Sequence, residues 1–382
     1  MSSEVKKYAF IDALRGYAIV LVVLVHSAQA IRPESYTLQT LMDFGARGVQ
    51  LFFIASSVTL CMSWYARSNA EQSPVRNFFI RRAFRIVPMF WIALAFYFLL
   101  YGLEPRYWAP YGLTWHSIPL TALFLNGYSP EIINALVPGG WSIAVEVNFY
   151  LLLPALLAVA HSLPRSITLT ILAIAVSAVA NRLFGVIFSN TGPDNRYVID
   201  NFLFWNFFNQ FPVFATGITA YFILSNPKLS RSAAAISAVI LGGSIVVLGA
   251  FRGEAISYLT NHLMLTVVLF AMTTITLYQF PIKPLVNRPL QFLGKVSFSL
   301  YLVHFAILFY LDKYGVKSMF HPGDLSSLMY SAIVLMCASL VAFAFYSCVE
   351  KPCVRLGTMV IRHLESHNTS KGIKEAIARS GR

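Results

Sequence analysis

The amino-acid sequence predicts an all-α integral membrane protein, a bundle of about ten transmembrane helices with both termini cytoplasmic. Three observations predict it. Of the 382 residues, 57% are hydrophobic and 12% charged, half the charge of an average soluble domain. Apolar runs of about 17–25 residues, long enough to cross a bilayer as helices, recur along the chain. The Lys and Arg residues gather in alternate loops, as the positive-inside rule requires. The formal net charge of +13 therefore reads as membrane orientation and not as a nucleic-acid surface.

The predicted spans cover 9–31, 45–64, 86–101, 141–160, 167–188, 204–224, 233–250, 259–279, 297–312 and 326–349. With the N-terminus inside, eight of the 29 Lys and Arg (Arg32, Arg47, Arg106, Arg182, Arg196, Arg252, Lys313 and Lys317) fall outside or near outer ends, and the remaining 21 fall inside. Lys6 and Lys7 precede the first span, but no A-x-A-like cleavage site follows His26, so that span is expected to be retained. Residues 117–128, SIPLTALFLNGY, are apolar but too short to cross; they are expected to be re-entrant or interfacial on the outer side. Residues 1–357 form the expected membrane domain. Residues 358–382 form a basic cytoplasmic tail, mobile or lying on the membrane surface.

The first span carries Arg15 and His26 within RGYAIVLVVLVH. Eleven residues are close to three helical turns, so the two side chains share a stripe roughly 16 Å long. A neutral imidazole can accept a hydroxyl proton near pH 7, which makes His26 a candidate general base. The alternative is an Arg15 that snorkels and a His26 that hydrogen-bonds a neighbouring helix.

The loop before the third span reads RNFFIRRAFRIVPMFW. Arg81, Arg82 and Arg85 are expected on one face of an interfacial helix, with Phe78, Phe79 and Phe84 entering the membrane. Guanidinium forks bind phosphates, so these three are candidate ligands of a phosphorylated cofactor; anionic lipid would fit as well.

The fourth span opens with WSIAVEVNFYLLLP. Glu146 lies at a depth similar to that of His26, with Ser142 and Tyr150 one turn to either side. A carboxylate there could orient the imidazole, as in a catalytic triad, or could anchor the bundle. In the ninth span Ser297, Tyr301 and His304 share a stripe, lining the same cavity or making a structural hydrogen bond.

Cys61, Cys337, Cys348 and Cys353 lie in or beside spans, which argues against a disulfide framework. The spacing Cys348-x4-Cys353-x9-His363-x3-His367 does not fit a zinc finger, and no metal is expected. No Walker, G-x-S-x-G, H-E-x-x-H or dinucleotide motif occurs. No internal repeat supports an inverted-repeat transporter.

Together these motifs resemble the acyltransferase-3 family of membrane O-acyltransferases, from about residue 8 to 356. Its R-x10-H matches Arg15 and His26, and its R-x-x-R matches Arg82 and Arg85. Its W-S-x-x-x-E-x-x-F-Y-L-x-x-P matches Trp141, Ser142, Glu146, Phe149, Tyr150, Leu151 and Pro154. Its S-x-S-L-Y-L-x-H matches Ser297 to His304, and its V-E-x-P matches Val349, Glu350 and Pro352. Where the family reads F-F-x-x-S-G-F, this chain has Phe52, Phe53, Ser56, Ser57 and Val58, a departure that bears on helix packing or acceptor shape.

The resemblance implies transfer of an acyl group, most often acetyl, from cytoplasmic acyl-CoA to a hydroxyl of a carbohydrate, glycolipid or related acceptor, in a bacterial inner membrane. Arg82 and Arg85, with Arg81, would hold the nucleotide phosphates, and the pantetheine arm would pass Arg15. His26 would act as base or carry the acyl group transiently, oriented by Glu146. Ser142, Tyr150, Tyr301 and His304 would line the path. Lacking the esterase-like domain that many members carry, the chain is expected to act alone or with a separate periplasmic partner. The competing reading is a transporter or flippase of a glycan or lipid without covalent chemistry.

Overall fold

The structure, a computed structural model, describes residues 3–188 and 195–380, with side chains for 9–188 and 195–366 apart from 245, 247–249, 251 and 252. Fourteen α-helices follow one another among them: α1 Ser3–Ala30, α2 Tyr36–Phe44, α3 Gly48–Arg67, α4 Pro74–Tyr101, α5 Ser117–Ala122, α6 Gly140–Val159, α7 Leu163–Ile187, α8 Arg196–Trp205, α9 Phe207–Ser225, α10 Pro227–Asn261, α11 Leu263–Gln279, α12 Arg288–Lys313, α13 Asp324–Phe345 and α14 Lys351–Ser380. A bilayer offers no water to a free amide, so helix starts need caps. Ser35, Asn206, Asn226 and Asn287 each accept a hydrogen bond from the N–H three residues on.

Eight helices among the described residues are long and apolar enough to cross a membrane, or nine if a bent pair counts as one span. That count, made over the described residues, is consistent with the expected all-α membrane bundle. The predicted span 259–279 falls across the bent pair, where the chain turns by 101° between Gly253–Asn261 and Leu263–Gln279. Residues 233–250 lie in α10 and run into positions whose side chains are outside the described residues. The short apolar piece at 117–128 is α5 followed by a 3₁₀ turn, and it does not cross. The outward faces are aliphatic: Ile171, Val179 and Val186 of α7 are exposed, as lipid contact demands. The chain is therefore a multi-pass membrane protein.

The core forms around α1, which packs against α12, α3 and α13. Its tightest crossing is with α12. A Cβ on Gly294 would lie 1.8 Å from the Asp12 carbonyl oxygen, and one on Gly16 would lie 2.2 Å from that of Leu290. Two reciprocal glycines thus bring the backbones into contact, the small-residue packing that replaces hydrophobic drive in lipid. That crossing places the His26 side of α1 against Tyr301 and His304 of α12.

The Ser57 departure has a local partner. Its hydroxyl donates to the Phe214 carbonyl at 2.8 Å, and its Cβ would stand 2.6 Å from a Cβ on Gly217. A Ser in α3 is accommodated because α9 has no side chain opposite. Gly217→Ala is expected to destabilise the bundle by about 1–3 kcal/mol. The penalty should shrink in a Ser57→Gly background; thermal unfolding in detergent of the two single variants and the double variant measures the coupling.

Candidate active site

Two cavities lie end to end in the bundle. The inner one is narrow, ≈60 Å³, and is lined by Arg15 of α1, Ser56 of α3, Arg82 and Arg85 of α4, and Glu146 and Tyr150 of α6. The Ser56 hydroxyl donates to Glu146, and Tyr150 also reaches that carboxylate. Arg15 donates to the Thr59 hydroxyl at 3.4 Å. The Arg82 guanidinium lies 5.9 Å from the Phe78 ring centre and 5.8 Å from that of Tyr150, and its buried Nε has no partner among the described residues. Three guanidiniums thus line the cavity against one carboxylate. Such an excess in a desolvated space suits a polyanion.

Arg81 is not part of this group. Successive helical residues are about 100° apart, so Arg81 leaves the face that Phe78, Arg82 and Arg85 share. It forms a forked ion pair with Glu71 at 2.5 and 3.2 Å. The predicted single arginine face is corrected accordingly. Phe78 does not enter lipid either: it is buried, with its ring near Arg82 and against Trp64.

The outer cavity is larger, ≈690 Å³, and holds His26, Gln29 and Arg47 among aromatic walls that include Trp108, Trp141 and Trp205. His26 Nδ1 is 3.0 Å from Gln29 Oε1, and its ring centre lies 4.4 Å from Phe305 and 5.4 Å from His304. His304 Nδ1 donates to the Tyr301 carbonyl at 2.7 Å, while its buried Nε2 has no partner among the described residues. An aromatic series connects this cavity to the surface. Tyr107, 66% exposed, lies 4.7 Å from Tyr197; Trp108 lies 4.8 Å from Trp205; and Trp205 stacks at 5.5 Å on Trp141, which is 6% exposed.

Tyr301 and Val49 line both cavities and mark the junction. There Ser142 donates to the Tyr301 hydroxyl at 2.8 Å, and that hydroxyl donates to the Gly139 carbonyl at 3.0 Å. Ser142 and Tyr301 are thus brought together as expected. His304 stands behind His26, fully buried, and does not line the cavity.

The structure does not bring Glu146 to His26. Equal depth on two helices says nothing about azimuth, and Glu146 faces Ser56 on α3 in the inner cavity. Gln29 holds the ring instead. A polar residue one turn beyond a buried His was a legible signal. Arg47 and Ser56 were also not singled out as site residues, nor was Glu350, which accepts from Ser299 at 3.1 Å. Glu350 is buried because a π turn at Tyr346–Glu350 joins α13 to α14 and re-aims its side chain. No hydropathy pattern foretells that turn.

The family described as Acyltransferase domain matches residues 8–347. The O-acetyltransferase OatA of Staphylococcus aureus is 24% identical over 376 residues, which cover 91% of this chain and 57% of that protein. The acyltransferase MdmB of Streptomyces mycarofaciens is 26% identical, over 93% of this chain and 94% of its own length. Nodulation protein 10 of Rhizobium leguminosarum bv. viciae is 28% identical over 49% of this chain and 53% of its own. The chain thus spans a little over half the length of OatA. No solved structure matches it.

Proposed function

The chain belongs to this acyltransferase family, and from that premise we propose that it moves an acyl group from acyl-CoA to a hydroxyl of a carbohydrate, glycolipid or related acceptor across a bacterial inner membrane. The single observation that carries the reading is the pair of cavities meeting at Tyr301, one arginine-lined and the other holding His26 among aromatic walls. The positive-inside count puts the arginine end in the cytoplasm, where acyl-CoA is found.

Arg82 and Arg85 grip the CoA phosphates, and Arg15 attracts the chain of polar groups that follows them. Glu146 offsets part of this positive charge and holds Ser56. The thioester passes Ser142 and Tyr301 to reach His26. His26 Nε2 takes the acceptor proton while Nδ1 is held by Gln29. The hydroxyl oxygen attacks the thioester carbonyl, the C–S bond breaks, and the imidazolium returns the proton to the departing thiolate. The products are the ester and CoA. A separate periplasmic partner would act on this product or present the acceptor.

Purified protein, labelled acetyl-CoA and a cell-envelope glycan extract test the reading. Label on the glycan supports it. Label that stays entirely on CoA while the glycan crosses proteoliposomes supports the transporter.

Arg82→Ala should raise the acetyl-CoA KM by roughly 10–100-fold, the value of one or two charge-assisted hydrogen bonds. Arg81→Ala should lower thermal stability and leave that KM within about twofold, since its partner is Glu71. Equal KM effects from the two variants would remove Arg82 from the donor site.

A further inference from the structure

We infer that Arg47 is an anion subsite of the outer cavity, so that the acceptor presented to His26 is an oxyanion-bearing carbohydrate, its charge supplied by a carboxylate or a phosphate. The inference rests on the acyl-transfer reading only for the word acceptor; the binding site stands on the geometry.

Arg47 is 9% exposed and lines the cavity that holds His26. Its Nε donates to the Thr260 carbonyl at 2.9 Å, its Nη2 donates to the same oxygen, and its guanidinium carbon lies 4.7 Å over Phe204. Thr260 sits where α10 breaks before the 101° bend, so this carbonyl lacks a helical partner and the guanidinium caps it. The cap uses two of five N–H donors. The Nη1 pair has no partner among the described residues, and none of their carboxylates pairs with Arg47.

A buried guanidinium without a counter-charge is costly. A carbonyl cap alone does not require a full positive charge; an amide or hydroxyl would serve. Gly45 and Gly48 show that the position is built. A Cβ on Gly45 would meet the Leu21 carbonyl oxygen at 2.2 Å, and one on Gly48 would meet that of Ala18 at 2.5 Å. The turn carrying Arg47 is thus pressed onto α1 within two turns of His26. The aromatic series from Tyr107 to Trp141 enters the same cavity and offers flat rings to the apolar faces of sugars. An anion on Arg47 and sugar rings on these walls would bring a hydroxyl to His26.

Calorimetric titration of the full chain in phosphatidylcholine nanodiscs, without acetyl-CoA, tests this with three probes: tetragalacturonate, a phosphorylated oligomannoside and neutral maltotetraose. At least one anionic probe should bind tenfold or more tighter than maltotetraose, and the tighter of the two identifies carboxylate or phosphate. Arg47→Gln should reduce that preference below about twofold, and Arg47→Lys should keep a part of it. Should Arg47→Gln fail to fold, raising salt from 50 to 500 mM should weaken the anionic probe severalfold and leave the neutral one unchanged.

Equal binding of neutral and anionic probes, no saturable binding of either anion, or a preference that survives Arg47→Gln or the salt series each overturns the proposal. Because no donor is present, a chain that transfers no acyl group can still pass this test. Label transfer without anion preference would overturn this inference alone.

Discussion

His26→Ala is expected to lower acyl transfer by about 10²–10⁴-fold, the contribution of a positioned general base. The argument is geometric. His26 lines the outer cavity, and its Nδ1 is held by Gln29, which leaves Nε2 as the basic atom. Among the described residues no second imidazole lines this cavity, and His304 behind it is fully buried. Folding should survive, since the ring borders open space and the α1–α12 crossing is made by glycines elsewhere. The acetyl-CoA KM should stay near wild type, because the arginines proposed to bind it line the other cavity. Measured turnover, donor KM and thermal unfolding separate these effects. Wild-type turnover in a folded His26→Ala protein removes His26 from the chemistry. Gln29→Ala should give a smaller loss, with the pH profile of turnover displaced, because the imidazole loses its orienting partner and not its basic atom.

Gly294→Val carries the largest expected effect on the fold. A Cβ there lies 1.8 Å from the Asp12 carbonyl oxygen, and the obstacle is backbone, which cannot rotate away. The two helices must separate, and the reciprocal contact at Gly16 opens with them. The cost should reach at least about 3 kcal/mol, the upper part of the overpacking range. Separation would also move His26 away from His304, whose ring centre is now 5.4 Å distant. The variant is expected to lose its monodisperse peak in detergent size-exclusion chromatography, and Gly294→Ala should fall between it and wild type. A Gly294→Val protein with the wild-type unfolding temperature would show that this crossing does not set the fold.

Much of this was readable from residues alone. The spans were legible because bilayer thickness imposes one length on every crossing, and hydropathy reports it directly. Arg15 and Glu146 are legible as charges inside apolar spans, Tyr150 as a neighbour on the Glu146 face, and Arg82 and Arg85 as a basic cluster at the membrane interface; the fold gathers all five around one cavity. Pairings between helices were less legible. Helix rise gives depth, but which helix faces which depends on small residues such as Gly16 and Gly294, whose packing leaves no periodic trace. So Glu146 was matched to His26 by depth and is found against Ser56. Arg47 reads in the sequence as one more charge near an outer helix end, and only its burial distinguishes it.

The narrow inner cavity that ends at Tyr301 limits how much of a donor can pass. At ≈60 Å³ the inner cavity can hold roughly four water molecules. On the proposed reading the nucleotide stays at the arginines of this cavity, and only the slender thioester arm reaches past Tyr301. An acyl group would then change sides while its coenzyme stays on the side it came from.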